Sequence, residues 1–211
     1  TAVVGPTGSG KSTLINLILK FYSPSSGIIS VGKTDLQKIS NKSWRKRIST
    51  IHQSPYIFNA SISDNISMFD KNIDIKDIKR VSKNIGISEF INKLPKKYDS
   101  IIGGTEIELS GGQKQKIQIA RALIRKPKLL ILDEATSSQD SISEDIIMKS
   151  IKRFFPNITI LIVSHRFSSL KKAEYIYCIN EGKIVEEGTW YSFSKKKSGL
   201  FRKMLNLQLI K

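Results

Sequence analysis

Residues 1–18 read T-A-V-V-G-P-T-G-S-G-K-S-T-L-I-N-L-I, and this stretch decides the fold. A short apolar run is followed by glycines at 5, 8 and 10, then a lysine and a serine. Beyond them Leu14, Leu17, Ile18 and Phe21 recur at helical spacing, so the order is strand, loop, helix. Residues 5–12 fit G-x-x-x-x-G-K-[ST] in the strand-to-helix context that gives the pattern its meaning. Glycines let the backbone curl until successive N–H groups point at phosphate oxygens, and the helix N-terminus adds positive potential. Lys11 is expected to neutralise β- and γ-phosphate charge, and the Ser12 hydroxyl to ligate Mg2+. A glycine-rich turn that happens to hold a lysine is the plainer reading, and the register of all three elements argues against it.

Composition sets the outer bounds. The chain has 211 residues, enough for one substantial domain or one domain with an inserted subdomain. Hydrophobic residues make up 39% and charged residues 25%, as in ordinary globular proteins. No apolar run is long enough to span a bilayer, and the start has no signal-peptide pattern. The single cysteine, Cys178, excludes an intramolecular disulfide and is expected to pack as a small hydrophobe. The formal net charge of +17 invites a nucleic-acid or anionic-membrane reading. Its lysines and arginines are spread along the chain, however, and no basic stripe interleaved with aromatics appears. The first residues already belong to a strand, so the expectation is of a piece whose preceding strands are missing.

Further along, residues 27–35 read as a short strand and turn, and residues 48–58 as a strand ending in a loop at Pro55. Residues 61–100, roughly, are polar and amphipathic, closed by Pro95, and are expected to be helical. Residues 111–126 predict a helix with Ile117, Ala120, Leu123 and Ile124 on one face. K-L-L-I-L-D (128–133) and I-T-I-L-I-V-S (158–164) are unbroken apolar runs, as in parallel strands covered on both faces, with a crossover helix over 143–155. Residues 175–189 predict a hairpin turning near Asn180–Gly182, and residues 199–211 a short amphipathic helix. The pattern is α/β: an open sheet with a mostly helical insert.

Asp133 and Glu134 stand at the C-terminal end of a buried strand, the edge at which open α/β sheets bind ligands. Asp133 is expected to face Mg2+ through water, and Glu134 to reach towards an attacking water. His165 ends the next buried strand, and Gln53 ends another. Each has an ordinary structural reading when taken alone. Four polar residues at strand ends around one phosphate loop make a site.

One stretch remains unexplained by that site. Residues 109–113, L-S-G-G-Q, put a serine and two adjacent glycines at the mouth of a helix, where glycine is a poor choice unless backbone must be exposed. With G-P-T-G-S-G-K-S, the glutamine of H-Q-S-P, L-L-I-L-D-E and S-H-R in the same order, the chain resembles the nucleotide-binding domain of an ATP-binding cassette (ABC) transporter over essentially its whole length. The resemblance implies a P-loop NTPase (RecA-like) core, a helical subdomain at approximately 55–115 and a partial antiparallel β subdomain. It implies ATP and Mg2+ as ligands, with Gly5, Pro6, Thr7, Gly8, Ser9, Gly10, Lys11, Ser12 and Thr13 around ATP, and Ser12, Gln53 and Asp133 around the metal. Leu109, Ser110, Gly111, Gly112 and Gln113 would complete the site of a second subunit, so that each ATP is sandwiched in a head-to-tail dimer. Glu134 would be the catalytic base, His165 would hold the γ-phosphate, Gln53 would relay events to a membrane domain, and Asp140 would lie in the loop crossing to the partner.

Residues 56–66, 133–144 and 164–176 resemble the exporter-type phrases of the family, which favours export over import. The implied partners are a second nucleotide-binding domain, identical or different, and a transmembrane domain, at the cytoplasmic face of a membrane. Several positions depart from the pattern. Ser138 and Gln139 replace the usual pair before Asp140; Gly103–Glu106 replaces the acidic segment that contacts the membrane domain; Lys116 and Trp190 replace arginine and histidine. The aromatic residue that stacks on adenine would lie upstream of residue 1. The alternatives are a soluble ABC ATPase acting on nucleic acid, which the resemblance disfavours, and a cassette that binds ATP without hydrolysing it.

Overall fold

The computed structural model describes residues 1–52, 54–133, 141–164 and 167–209, with backbone alone for 141–147, 167, 168, 208 and 209. The chain opens with β1 (Ala2–Val4), the phosphate loop and α1 (Lys11–Ile18), then β2 (Ser30–Val31), β3 (Thr34–Asp35), α2 (Asn41–Arg45) and β4 (Ile48–His52). Next come β5 (Ala60–Ser61), α3 (Ile62–Ser67), α4 (Ile75–Ile85), α5 (Ser88–Lys93), β6 (Ile101–Ile102) and α6 (Gly111–Leu123). The chain then runs through β7 (Leu129–Asp133), α7 (Ser141–Phe154), β8 (Thr159–Val163), α8 (Phe167–Leu170), β9 (Ile176–Asn180), β10 (Lys183–Gly188), α9 (Trp190–Lys195) and α10 (Leu200–Leu209). The strand order of the main sheet is β10-β9-β1-β8-β7-β4. β1 is parallel to both neighbours, with Ala2 opposite Ile162 on one side and Ile176 on the other. β10 runs antiparallel to β9. Of the two apolar runs expected to be covered parallel strands, β7 has Leu130 and Ile131 fully buried, whereas β8, parallel to β1, is buried only at Ile162 and Val163 and is exposed at Thr159.

Contacts divide the chain into two compact units. The first holds residues 1–48, the last three residues of β7, and the chain from Ile160 onward. Its core includes Ala2, Val4, Ile15, Ile176 and Cys178, with Phe193 of α9 stacked on Phe201 of α10 at 4.3 Å between ring centroids. Glu186 of β10 caps α10 from a distance in sequence, accepting from the N–H groups of Leu200 and Phe201. α1 is shorter than the periodicity predicts. It ends at Ile18, Lys20 takes a left-handed φ of 59° and the Phe21 N–H turns back to the Asn16 carbonyl at 2.9 Å. Phe21 is therefore 61% exposed, and the buried residues of α1 are Lys11 and Ile15.

The second unit runs from Ser49 to Leu130 and takes in α7. Residues 61–100 are helical as expected, broken into α3, α4 and α5 by local signals. Asp74 caps α4 through its side chain on the Lys76 N–H, and Gly86 ends it at φ 72°. β5 and β6 bracket these helices, Ala60 pairing with Ile102 and Ser61 with Ile101. α6 is the interior helix of the unit, with Ile117, Ala120 and Leu123 fully buried and Ile124, just beyond it, nearly so. The face read from the sequence is the one that packs, against α3 and α4.

Candidate active site

In the first unit, β1 delivers the chain into residues 5–10, and the local geometry explains each glycine. A Cβ on Gly5 would lie 2.1 Å from the Ile179 carbonyl oxygen of β9 and 2.6 Å from Ser9 Oγ. Gly8 and Gly10 take φ of 79° and 104°, in the region that side chains avoid. Gly10 is the N-cap of α1 and brings no side chain to its first turn. The N-terminal turn is therefore left to an external acceptor rather than to a serine or aspartate cap. Lys11 is buried, and its ammonium donates to the Gly5 carbonyl at 2.8 Å, the Pro6 carbonyl at 2.7 Å and Ser9 Oγ at 3.4 Å. Pro6, Thr7, Ser12 and Thr13 complete the loop and the start of α1, all four at least partly exposed.

The turn between β9 and β10 braces this loop, which the sequence reading missed. Glu181 and Gly182 both take left-handed φ, 49° and 74°, as a two-residue hairpin turn requires. The Gly182 N–H donates to the Ser9 carbonyl at 2.9 Å. The signal was present as a hairpin turn at residues 180–182, but nothing in the sequence aims that turn at the loop. Asp133 ends β7, half-buried, in the same unit as the loop. Ser12 and Asp133 offer the hard oxygen donors that Mg2+ takes together with phosphate oxygens and water, so the residue types fit that ion. Glu134, His165, Gln53 and Asp140 lie outside the described residues.

In the second unit, Ser110 is the N-cap of α6 and forms a reciprocal capping box with Gln113. The Ser110 hydroxyl accepts from the Gln113 N–H at 3.3 Å, and Gln113 Oε1 accepts from the Ser110 N–H at 2.9 Å. Ser110 and Gly111 are exposed and Gly112 and Gln113 half-exposed, whereas Leu109 is buried and anchors the turn. Among the described residues a Cβ on Gly111 would meet nothing within 4 Å, so no contact with them demands glycine there. Preceding the turn, Gly103 at φ 84° lies against Phe58, whose carbonyl oxygen would be 2.6 Å from a Cβ at 103.

A second cluster in this unit was not legible as a site. Asn65 of α3 is fully buried and binds the main chain of residues 58–61, and Arg121 of α6 binds Asn65 in turn. The only sequence signal was a lone arginine inside an otherwise apolar stretch of α6. Burial, then the nearby Glu186 carboxylate, push the Cys178 thiol up to about 12, away from the range of reactive thiols.

Comparison with known proteins places this geometry. A family model described as ABC transporter matches residues 1–137. The chain is 39% identical over 211 residues to ATP-binding cassette sub-family B member 10, mitochondrial, of Mus musculus, a match covering 99% of this chain and 30% of that protein. It is 39% identical over 202 residues to heterocyst differentiation ATP-binding protein HepA of Nostoc sp., covering 96% of this chain and 33% of that one. ABC transporter B family member 14 of Arabidopsis thaliana is 37% identical over 207 residues, covering 98% and 17% respectively. Among solved structures, a bacterial Atm1-family ABC exporter with ATP bound superposes with a TM-score of 0.89 at 31% identity, over 98% of this chain and 36% of that chain. The chain thus spans about a third or less of the length of these curated relatives.

Proposed function

The chain belongs to the ABC transporter family, and from that premise we propose that it binds and hydrolyses ATP to power export of a substrate across a membrane. The observation that carries the reading is the phosphate loop. A glycine N-cap without a side-chain acceptor, two left-handed glycines and a buried lysine converge where a triphosphate would sit. Lys11 would exchange its loop carbonyls for β- and γ-phosphate oxygens, and the first-turn N–H groups of α1 would complete the cradle. Mg2+, held by Ser12 and Gln53 and, through water, by Asp133, would supply neutralisation of phosphate charge. Glu134 would orient and polarise the attacking water, and His165 would hold the γ-phosphate.

The exposed turn Ser110–Gln113 supports a role towards a second copy or a related chain. Glycine at 111 has nothing to clear among the described residues, and a phosphate of ATP held by another subunit's loop would use the open backbone. The working assembly is then a head-to-tail dimer of nucleotide-binding domains, joined to transmembrane domains at the cytoplasmic face of a membrane. No helix among the described residues is long and apolar enough to cross a bilayer, so the spanning part would be a separate domain. The relatives quoted above carry transporter or ATP-binding names and lend no support to the nucleic-acid alternative.

The test is light scattering of a Glu134→Gln protein with and without Mg2+-ATP. Dimerisation only with ATP, with turnover reduced about 10²- to 10⁴-fold, is the expected result for loss of a general base. Unchanged turnover would refute the role of Glu134. A monomer at saturating ATP would refute completion of the site by an identical chain.

A further inference from the structure

α6 is tied by two polar side chains as well as by its apolar face, Arg121 reaching the segment after β4 and Gln118 the end of β4. Arg121 spreads its guanidinium over three acceptors: Nε donates to the Asn65 carbonyl at 2.8 Å, Nη1 to the Tyr56 carbonyl at 2.8 Å, and Nη2 to Asn65 Oδ1 at 3.0 Å. Its Cζ lies 5.1 Å from the centroid of the Phe58 ring. Asn65 holds the same segment in place, accepting from the Phe58 N–H at 2.9 Å and donating to the carbonyls of Phe58, Ala60 and Ser61 at 3.0, 3.3 and 3.1 Å. One turn earlier in α6, Gln118 meets the His52 N–H and carbonyl at 3.2 Å each, with its amide turned so that both bonds form.

The chemistry of this clamp is unlike that of a stabilising ion pair. Arg121 has no carboxylate partner among the described residues; all its acceptors are neutral. Partial burial lowers its pKa, the mark of a desolvated charge. For holding α6 in the unit, an apolar side chain like those of Ile117 and Leu123 would serve as well or better. What the planar fork adds is direction. Three hydrogen bonds at fixed angles set rotation about the helix axis and register along it, which apolar packing leaves softer.

Direction matters because α6 is a lever. Gly111 and Arg121 are ten residues apart in one helix, about 15 Å at 1.5 Å per residue. A tilt of about 4° at the clamp then displaces the N-terminal turn by about 1 Å, a misplacement that can cost about a hundredfold in rate. We propose that Arg121 is a positioning residue for ATP hydrolysis: it fixes α6 against residues 56–65 and so sets where Ser110–Gln113 meets a phosphate. The proposal rests on the reading of Ser110–Gln113 given above.

The test is steady-state ATPase kinetics of the full protein that carries this chain, with Arg121→Lys, Phe58→Leu and, as control, Lys11→Ala. Arg121→Lys keeps the charge and loses the fork. It is expected to lower kcat at least tenfold with KM for ATP changed less than twofold, at an unchanged fraction folded by near-ultraviolet circular dichroism. Phe58→Leu removes only the stacked ring and is expected to lower kcat two- to threefold, again at constant KM; it decides the matter should Arg121→Lys fail to fold. Normal kcat in the folded variants, or a kcat that falls only with the folded fraction, would overturn the positioning role. Lys11→Ala separates the two readings: if it abolishes turnover while the clamp variants are normal, the ATPase reading stands and the clamp proposal falls. If Lys11→Ala leaves turnover intact, the ATPase reading itself is wrong.

Discussion

At Gly5 the loop backbone passes so close to β9 that a single methyl group would strike the Ile179 carbonyl oxygen. Backbone on both sides of the contact leaves little room to yield, so Gly5→Ala is expected to destabilise the fold by about 1–3 kcal/mol. Urea unfolding with the wild-type slope and a lower midpoint would show it. Gly111 is the opposite case. Among the described residues nothing stands near its absent Cβ, and alanine is the better helix former by up to about 1 kcal/mol. Gly111→Ala should therefore hold or raise the thermal midpoint while lowering ATPase turnover at least tenfold. Turnover at the wild-type level would mean that the open backbone at 111 meets no phosphate. Two glycines that look alike in sequence thus differ: a contact with β9 demands the first, and the second is proposed to serve a phosphate held by a partner.

Cys178 gives a third residue-scale prediction. Its thiol is buried and titrates near 12 rather than 9. The folded state therefore holds its proton more tightly than the unfolded state. That contribution to stability is complete below about pH 9 and is lost progressively as pH rises towards 12. Labelling of Cys178 by a thiol reagent at pH 8 should follow the rate of unfolding, and fast labelling of the folded protein would contradict the burial.

At the scale of elements, what was legible in the sequence was what repeats or punctuates. The apolar runs of β7 and β8, the helical face Ile117–Ala120–Leu123 and the glycine spacing of the phosphate loop each follow from a local pattern. The end of α1 was not legible, because Phe21 continues the helical spacing past Lys20, where the backbone has already reversed. Two-residue strands such as β5 and β6 carry no period at all. Asn65 and Arg121 were missed for a related reason: their meaning lies in main-chain atoms far away in sequence, and carbonyls have no letter in a sequence. The phosphate loop was read from its local pattern and the role of Leu109–Gln113 through resemblance, neither of which identifies the brace that the β9–β10 turn gives to Ser9.

At the scale of the whole chain, the two units carry different halves of the proposed chemistry. The phosphate loop and Asp133 are in the first, and the Ser110 turn with its Arg121 clamp is in the second. Assembly with a partner chain, rather than either unit alone, is the proposed source of turnover, which is why dimerisation and kcat are the measurements chosen above.

The position of β1 in the sheet also bears on how the protein is made. Its two neighbours are β8 and β9, strands that lie at the other end of the chain, and the Ser9 carbonyl waits for the Gly182 N–H. A ribosome must release the chain through β9 before β1 can find both of its partners. Until then β1 lacks one or both of its sheet neighbours, so its closure between β8 and β9 is a late, long-range event.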